Sequence, residues 1–281
     1  VAQPVAAESG SDRSRPIRSP DFMIIELLRA CHPVPTAAVT ALSGLLAVGL
    51  GQPPGTAALA AATIGLSQLS IGWANDAIDA PRDRAVGRAD KPLVRRTDLV
   101  RTVKNAAWIA GALTLLAGFA WGWPRGALVV VGLIGAQLYN WPLKATVASI
   151  VPYLICFAAL PAFLAPDVPL WLIAAAALLG GGAHLINAIP DLEADRVTGI
   201  RGLPQRLGAR PSLLLASLLL LVTTVVIIAG ASPPAWASVL GLLASAALPA
   251  VGWFAPPRVT FRAVIVVAGI DVGLLLLSGA L

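Results

Sequence analysis

The sequence predicts an all-α, polytopic membrane protein built as a bundle of nine transmembrane helices. Three observations carry that expectation. Of 281 residues, 57% are hydrophobic and only 12% charged, about half the ~25% usual for soluble domains. The mean hydropathy is +0.81. Apolar stretches long enough for the ~20 residues that a helix needs to cross ~30 Å of hydrocarbon recur along the chain. Disorder is excluded for most of the chain, because disordered segments are poor in apolar residues. Two distant cysteines, Cys31 and Cys156, exclude a disulfide framework.

The elements follow in chain order. Residues 1–21 are polar and rich in Ser, Arg and Pro. A disordered tail is expected there, without the apolar core of a signal peptide. Residues 22–31 (FMIIELLRAC) read as an amphipathic lead-in at the membrane interface. Nine spans are expected at roughly 34–51, 57–76, 105–121, 126–142, 146–164, 169–190, 212–230, 235–254 and 261–281. They must be helical, since lipid leaves no partner for open backbone groups and no alternating barrel strands occur. Turn-like separators such as Gln52-Pro53-Pro54-Gly55 and Ser232-Pro233-Pro234 divide them.

Orientation follows from the basic residues. Every lysine and arginine except Arg125 falls on the tail or on loops of one parity, so the N-terminus is expected in the cytoplasm and the C-terminus outside a cell membrane. The net charge of +6 is therefore a topology signal and not a nucleic-acid signature. Oligomeric state is not legible.

The acidic residues are organised differently. NDAIDAPRDRAVGR begins at Asn75 and NAIPDLEADRVTGIR at Asn187. At a constant offset, Asn75, Asp79, Asp83, Arg84 and Gly87 match Asn187, Asp191, Asp195, Arg196 and Gly199. The shared pattern N-x3-D-x3-D-R-x2-G ends the second and sixth spans, which point the same way, so it marks a parallel internal repeat. At ~100° per residue, Asn75, Asp79 and Asp83 lie within about 80° of one another, with Asp76 close by. Gln68 and Gly72 extend that face into the membrane. Asn187, Asp191 and Asp195 form the matching stripe with His184 above it, while Glu193 points elsewhere. Pro81 and Pro190 are expected to kink or end their helices.

Five converging aspartates repel one another unless cations neutralise them. An all-oxygen set of Asp and Asn suits Mg²⁺, which completes its shell with substrate phosphates. Arg88, Lys91, Lys144 and Arg201 flank the motifs as candidate phosphate partners. Solvated interface charges would explain one such motif but not two at a single offset.

With those residues in view, Asn75-Asp76-x2-Asp79-x3-Asp83 followed by Gly87-Arg88-x2-Lys91-Pro92-Leu93 resembles the first aspartate-rich motif of the UbiA superfamily of intramembrane prenyltransferases. Asp191-x3-Asp195 with Gly199 and Leu203-Pro204-x-Arg206-Leu207-Gly208 is similar to the second, and Tyr139-x4-Lys144 to the signature between them. The resemblance covers nearly the whole chain and implies one domain over 22–281: nine helices around a central cavity under a cytoplasmic helical cap, with the mouth of the site cytoplasmic.

It further implies that a prenyl diphosphate binds through Mg²⁺ held by Asn75, Asp79, Asp83, Asn187, Asp191 and Asp195, with Arg88, Lys91, Lys144 and Arg201 on the diphosphate. Asp76, Tyr139 and Lys144 join those aspartates as expected catalytic residues. Gln68 and His184 are cavity candidates, and Tyr139 and Trp141 are aromatic faces near the mouth. The implied reaction moves an isoprenoid group, through an allylic cation, to a lipid-soluble acceptor, aromatic or a quinone precursor. A UbiA-type terpene cyclase would share every aspartate. A metal or phospholipid transporter is the alternative from another class, but transporter sites usually lie near the midplane.

Among single residues, Asp271 sits in mid-span, where an acid is costly, and reads equally as site or structural hydrogen bond. Gly180, Gly181 and Gly182 are expected to permit close helix packing. Asn105, Asn140 and Tyr153 read as structural.

Overall fold

The computed structural model describes residues 20–279; the expected disordered tail lies almost wholly outside them. The described residues are helical throughout, without strands. In order they form α1 (Pro20–Ala30), α2 (Pro33–Gly49), α3 (Pro54–Ala85), α4 (Pro92–Arg95), α5 (Val100–Ala120), α6 (Trp123–Asn140), α7 (Val151–Leu164), α8 (Leu170–Ala188), α9 (Leu192–Val197), α10 (Leu203–Leu207), α11 (Ala209–Ala231), α12 (Ala235–Phe254) and α13 (Pro257–Ser278). Proline near the first helical position opens α2, α3, α4, α6, α7, α10 and α13, where a missing N–H costs nothing.

The long helices pack as a ring. Each of α2, α3, α5, α6, α7, α8, α11, α12 and α13 contacts the next, and α13 returns to α2. Small residues set the close approaches: a Cβ on Gly182 would meet Leu220, and one on Gly180 would meet Phe157 and the Tyr153 carbonyl. The outer surface is apolar, with Trp108, Leu116, Leu170 and Leu243 among the exposed large side chains, as a lipid-facing ring requires.

Each expected span coincides with one helix of this ring, but seven of the described helices, α7 taken with the turn before it and α8 with the turn and α9 after it, are long and apolar enough to cross a membrane. The pair α1 and α2, bent by 68° at its break, makes an eighth. The helix α6, which carries Arg125, Gln137 and Asn140, is not among them. The expected lead-in is α1, which turns Met23, Ile24 and Leu28 outward and buries Glu26. The second span extends further than expected, because α3 runs 32 residues, through Pro81, to Ala85. Proline costs one backbone bond and a clash with the preceding turn; here it is exposed and one turn from the helix end. Pro190 behaves as expected. The helix α8 stops at Ala188, and Ile189–Asp191 form a 3-10 turn into α9.

Candidate active site

The repeat is also a repeat of backbone geometry. Gly87 and Gly199 both have positive φ, 69° and 80°. In the first copy Arg88 N–H donates to the Asp83 carbonyl and Gly87 N–H to that of Arg84. In the second, Ile200 donates to Asp195 and Gly199 to Arg196. This is the Schellman termination, in which a left-handed residue after the last turn satisfies orphan carbonyls. The glycine of D-R-x2-G is thus a helix stop that places the last aspartate of each copy, Asp83 and Asp195, in the final turn.

Both copies face one cavity of about 180 Å³ between the ends of α2, α3, α6, α8 and α9. Asn75, Asp79, Asp83, Asn187, Asp191 and Asp195 all line it, with Gln68, Arg88, Lys91, Tyr139 and Lys144. Three expected residues do not. Asp76 is 2% exposed and lies against Lys91, whose Nζ is 3.0 Å from Oδ1. Arg201 is exposed, and its carbonyl accepts from Arg206. His184 is buried, with Nε2 3.1 Å from Ser149 Oγ, in a ring cluster with Tyr139 and Tyr153. His184 lies on the unbroken part of α8, three residues before Asn187, but the Tyr139 and Tyr153 rings, which do line the cavity, pack against it and cover it. Trp141, expected near the mouth, is 73% exposed on the outside, beyond the end of α6.

The acids are held by cations. Lys144 Nζ lies 2.6 Å from Asp79 Oδ2, and Arg82 binds the other oxygen of the same carboxylate. Arg88 Nη1 donates to Asp191 Oδ1 at 2.8 Å while its other nitrogens grip Asp90. Gln205 donates to Asp195 at 2.7 Å. Asn75 donates to Asn140 Oδ1 at 3.0 Å, and Asn140 in turn donates to the Ile71 carbonyl. Asn140, read as structural from sequence, lines the cavity too and fixes the Asn75 amide.

The electrostatics follow from this arrangement. Burial lowers the Lys144 ammonium from the ordinary lysine value, against the pull of Asp195 and Asp191. The Arg88 guanidinium is held firmly protonated by its hydrogen bonds to Asp90 and by Asp191, against burial. The same hydrogen bonds hold the Asp90 carboxyl below the usual carboxylate range.

Among the described residues no three His, Cys, Asp or Glu side chains stand close enough to hold one ion. Of the expected metal set, Asp79 and Asp191 are paired with cations, because carboxylates brought together in a low-dielectric cavity take the nearest positive charge, while Asp195 accepts from Gln205. One buried oxygen, Asp83 Oδ2, has no partner, and every candidate donor in the two motifs is oxygen. That chemistry fits a hard divalent ion.

A second, apolar cavity of about 190 Å³ adjoins the first and shares Pro35, Gln68, Tyr153 and Asn187 with it. Phe157, Leu160, Leu179, Val264 and Ala268 continue its walls between α7, α8 and α13. Tyr153, read as structural from sequence, therefore belongs to the site. Sequence reasoning also missed Arg82 and His32. Arg82 could have been found from its i,i+3 spacing to Asp79. His32 carried no signal; it lines the cavity only because a left-handed residue (φ 56°) joins α1 to α2.

Asp271 lines none of these cavities. Its Oδ1 accepts from Thr224 Oγ1 at 2.8 Å, and Thr224 meets Ser245 at 2.7 Å, so it ties α11, α12 and α13 together.

The chain is similar to known proteins in sequence and in fold. The chain is 30% identical over 208 residues, 69% of its length and 72% of the relative's, to a digeranylgeranylglyceryl phosphate synthase of Natronomonas pharaonis. It is 32% identical over 143 residues, 48% of each chain, to a lycopene elongase/hydratase of Haloferax volcanii. The fold matches a UbiA homolog from Archaeoglobus fulgidus bound to DMAPP and Mg²⁺, with a TM-score of 0.71 at 18% identity, over 89% of this chain and 97% of that one. A UbiA homolog from Aeropyrum pernix matches with a TM-score of 0.68 at 19% identity, over 91% and 97%. Residues 37–267 match the model of the UbiA prenyltransferase family, and with a repeated aspartate motif facing one intramembrane cavity the chain belongs to that family.

Proposed function

We propose that this protein is a Mg²⁺-dependent intramembrane prenyltransferase. It moves an isoprenoid group from a prenyl diphosphate to a lipid-soluble acceptor. The observation that carries this reading is the convergence of Asp79 and Asp191, from two copies of one motif, on a single polar cavity that adjoins an apolar one. A diphosphate head and a hydrocarbon tail need such a pair of neighbouring compartments. The DMAPP and Mg²⁺ bound by the Archaeoglobus homolog support the same assignment. Glyceryl phosphate and lycopene in the relatives' names widen the acceptor class beyond the aromatic or quinone-precursor acceptor that the resemblance implies.

Asn75, Asp79, Asp83, Asn187, Asp191 and Asp195 would hold Mg²⁺, which, when bound, stabilises negative charge on the departing diphosphate. Lys91, Lys144 and Arg88, which line the cavity, add positive charge beside it. The C–O bond breaks and its electron pair leaves with the diphosphate. The apolar walls exclude water, which would quench the allylic cation. The Tyr139 and Tyr153 rings, 5.0 Å apart and edge to face, supply π-electron density beside the reacting carbon. The acceptor then contributes the electron pair of the new bond and gives up a proton, which leaves a neutral prenylated product beside the diphosphate. The mouth of the site is cytoplasmic on the asymmetry of the basic residues.

The test is diphosphate release and lipid mass spectrometry on purified protein given GPP, Mg²⁺ and a membrane lipid extract. A prenylated lipid that disappears in the Asp79→Ala, Asp191→Ala double variant supports the proposal. Release that persists in that variant overturns it, and a cyclic hydrocarbon formed without lipid extract replaces transfer with cyclisation.

A further inference from the structure

A third cavity lies away from the active site, at the same end of the bundle. It measures about 130 Å³ and is a notch where the start of α11, the end of α12 and the start of α13 meet. Arg210 and Trp253 form its rim, with the guanidinium 4.5 Å from the ring centroid. Thr260 lies in its wall, and Ile186 and Ile189 form its floor. Those two isoleucines flank Asn187 in the chain. The notch therefore backs onto the α8 break, whose other side presents Asn187 and Asp191 to the active-site cavity.

Charge identifies the occupant. From Ile200 to the C-terminus the one acidic residue is Asp271, which is buried in mid-helix on Thr224. Arg206, Arg210, Arg258 and Arg262 are exposed, and among the described residues none is paired with a carboxylate. The surface around the notch is apolar as well as basic: Phe254 is 86% exposed, and Leu214 and Val259 are exposed beside it. The exposed apolar side chains beside the arginines face membrane lipid, so the phosphate within reach of the guanidinium is one that carries acyl chains, where a free anion would meet the arginines alone. A membrane lipid with an anionic headgroup matches both, with phosphate at the guanidinium and acyl chains along α11 and α12. Planar Arg suits phosphate oxygens in pairs, and its stacking on Trp253 holds the fork in place.

We propose that this notch binds the headgroup of an anionic phospholipid and braces the turn that carries Asp191. Native mass spectrometry of the full chain, delipidated and offered phosphatidylglycerol and phosphatidylcholine in equal amounts, tests the binding. Wild type is expected to retain phosphatidylglycerol preferentially, and Arg210→Gln to lower that preference about fivefold, the worth of one basic residue at an anionic surface. Arg125→Gln serves as the control, since Arg125 also stacks on a tryptophan, Trp121, at the opposite end, and is expected to change nothing. Should the preference be absent in wild type, be equal in wild type and Arg210→Gln, or fall equally in Arg125→Gln, the site is overturned. Competition by inorganic phosphate at equal concentration would reassign it to a free anion. Hydrogen exchange over residues 186–191 tests the bracing: it is expected to slow when phosphatidylglycerol replaces phosphatidylcholine in wild type but not in Arg210→Gln. Unchanged exchange in wild type overturns the bracing.

Discussion

Arg88 reaches across 103 residues of sequence to place Nη1 2.8 Å from Asp191 Oδ1. The loop that follows the first aspartate motif thus holds the second motif directly. Repeat symmetry would give Ile200 the equivalent position, and isoleucine cannot return the contact. The two halves of the site are chemically unequal although their backbones match.

That contact should be visible as coupling. Arg88→Gln and Asp191→Asn are each expected to lower kcat/KM. The double variant is expected to fall about tenfold less than the product of the single losses, a coupling of about 1.4 kcal/mol. Multiplicative losses would mean that the pair does not act together in catalysis.

Lys144 carries a pH prediction. Burial lowers its ammonium from the ordinary lysine value, so the charge that, in the proposed reaction, it would offer the diphosphate is lost as pH rises through that lowered pKa. A guanidinium at the same place keeps its proton. The alkaline limb of the kcat/KM profile should therefore move to higher pH in Lys144→Arg, even if the neutral-pH rate falls. An unmoved limb would assign that titration to another group.

Gly87 and Gly199 should behave as equivalents. A Cβ at either would meet nothing within 4 Å, so replacement by alanine costs only the left-handed backbone, about 1–2 kcal/mol. Denaturant unfolding in detergent is expected to show that loss at both positions, and a smaller one for asparagine, which visits this region more readily. Unequal costs at the two sites would break the structural repeat.

Asp271 is expected to be a structural residue. Thr224→Val removes the donor to a buried carboxyl group and should destabilise the protein by about 1–3 kcal/mol. Activity per folded molecule should be unchanged. A loss of activity at full stability would move Asp271 into the reaction.

Much of this was legible from the chain alone. The helical class followed from apolar stretches in a solvent that tolerates no open backbone. The aspartate pairing followed from one motif found twice at one offset, because spacing of four residues places side chains on one face whatever surrounds them. Gly87 and Gly199 were matched in the same pattern, but that they stop their helices came from the structure. Tertiary structure decided what periodicity cannot reach. His32 and Tyr153 line the cavity of the motifs through long-range packing, and no local spacing encodes neighbours that distant. His184 shares an unbroken helix with Asn187, but the Tyr139 and Tyr153 rings, brought in from α6 and α7, cover it. Arg201 and Lys144 look alike in sequence, as basic residues near a motif, but only Lys144 is buried within reach of Asp79. Composition and period determined which residues could form a diphosphate site. Packing of the ring decided which of them share its cavity, because proximity in a bundle depends on helix ends and breaks that single-chain patterns leave free.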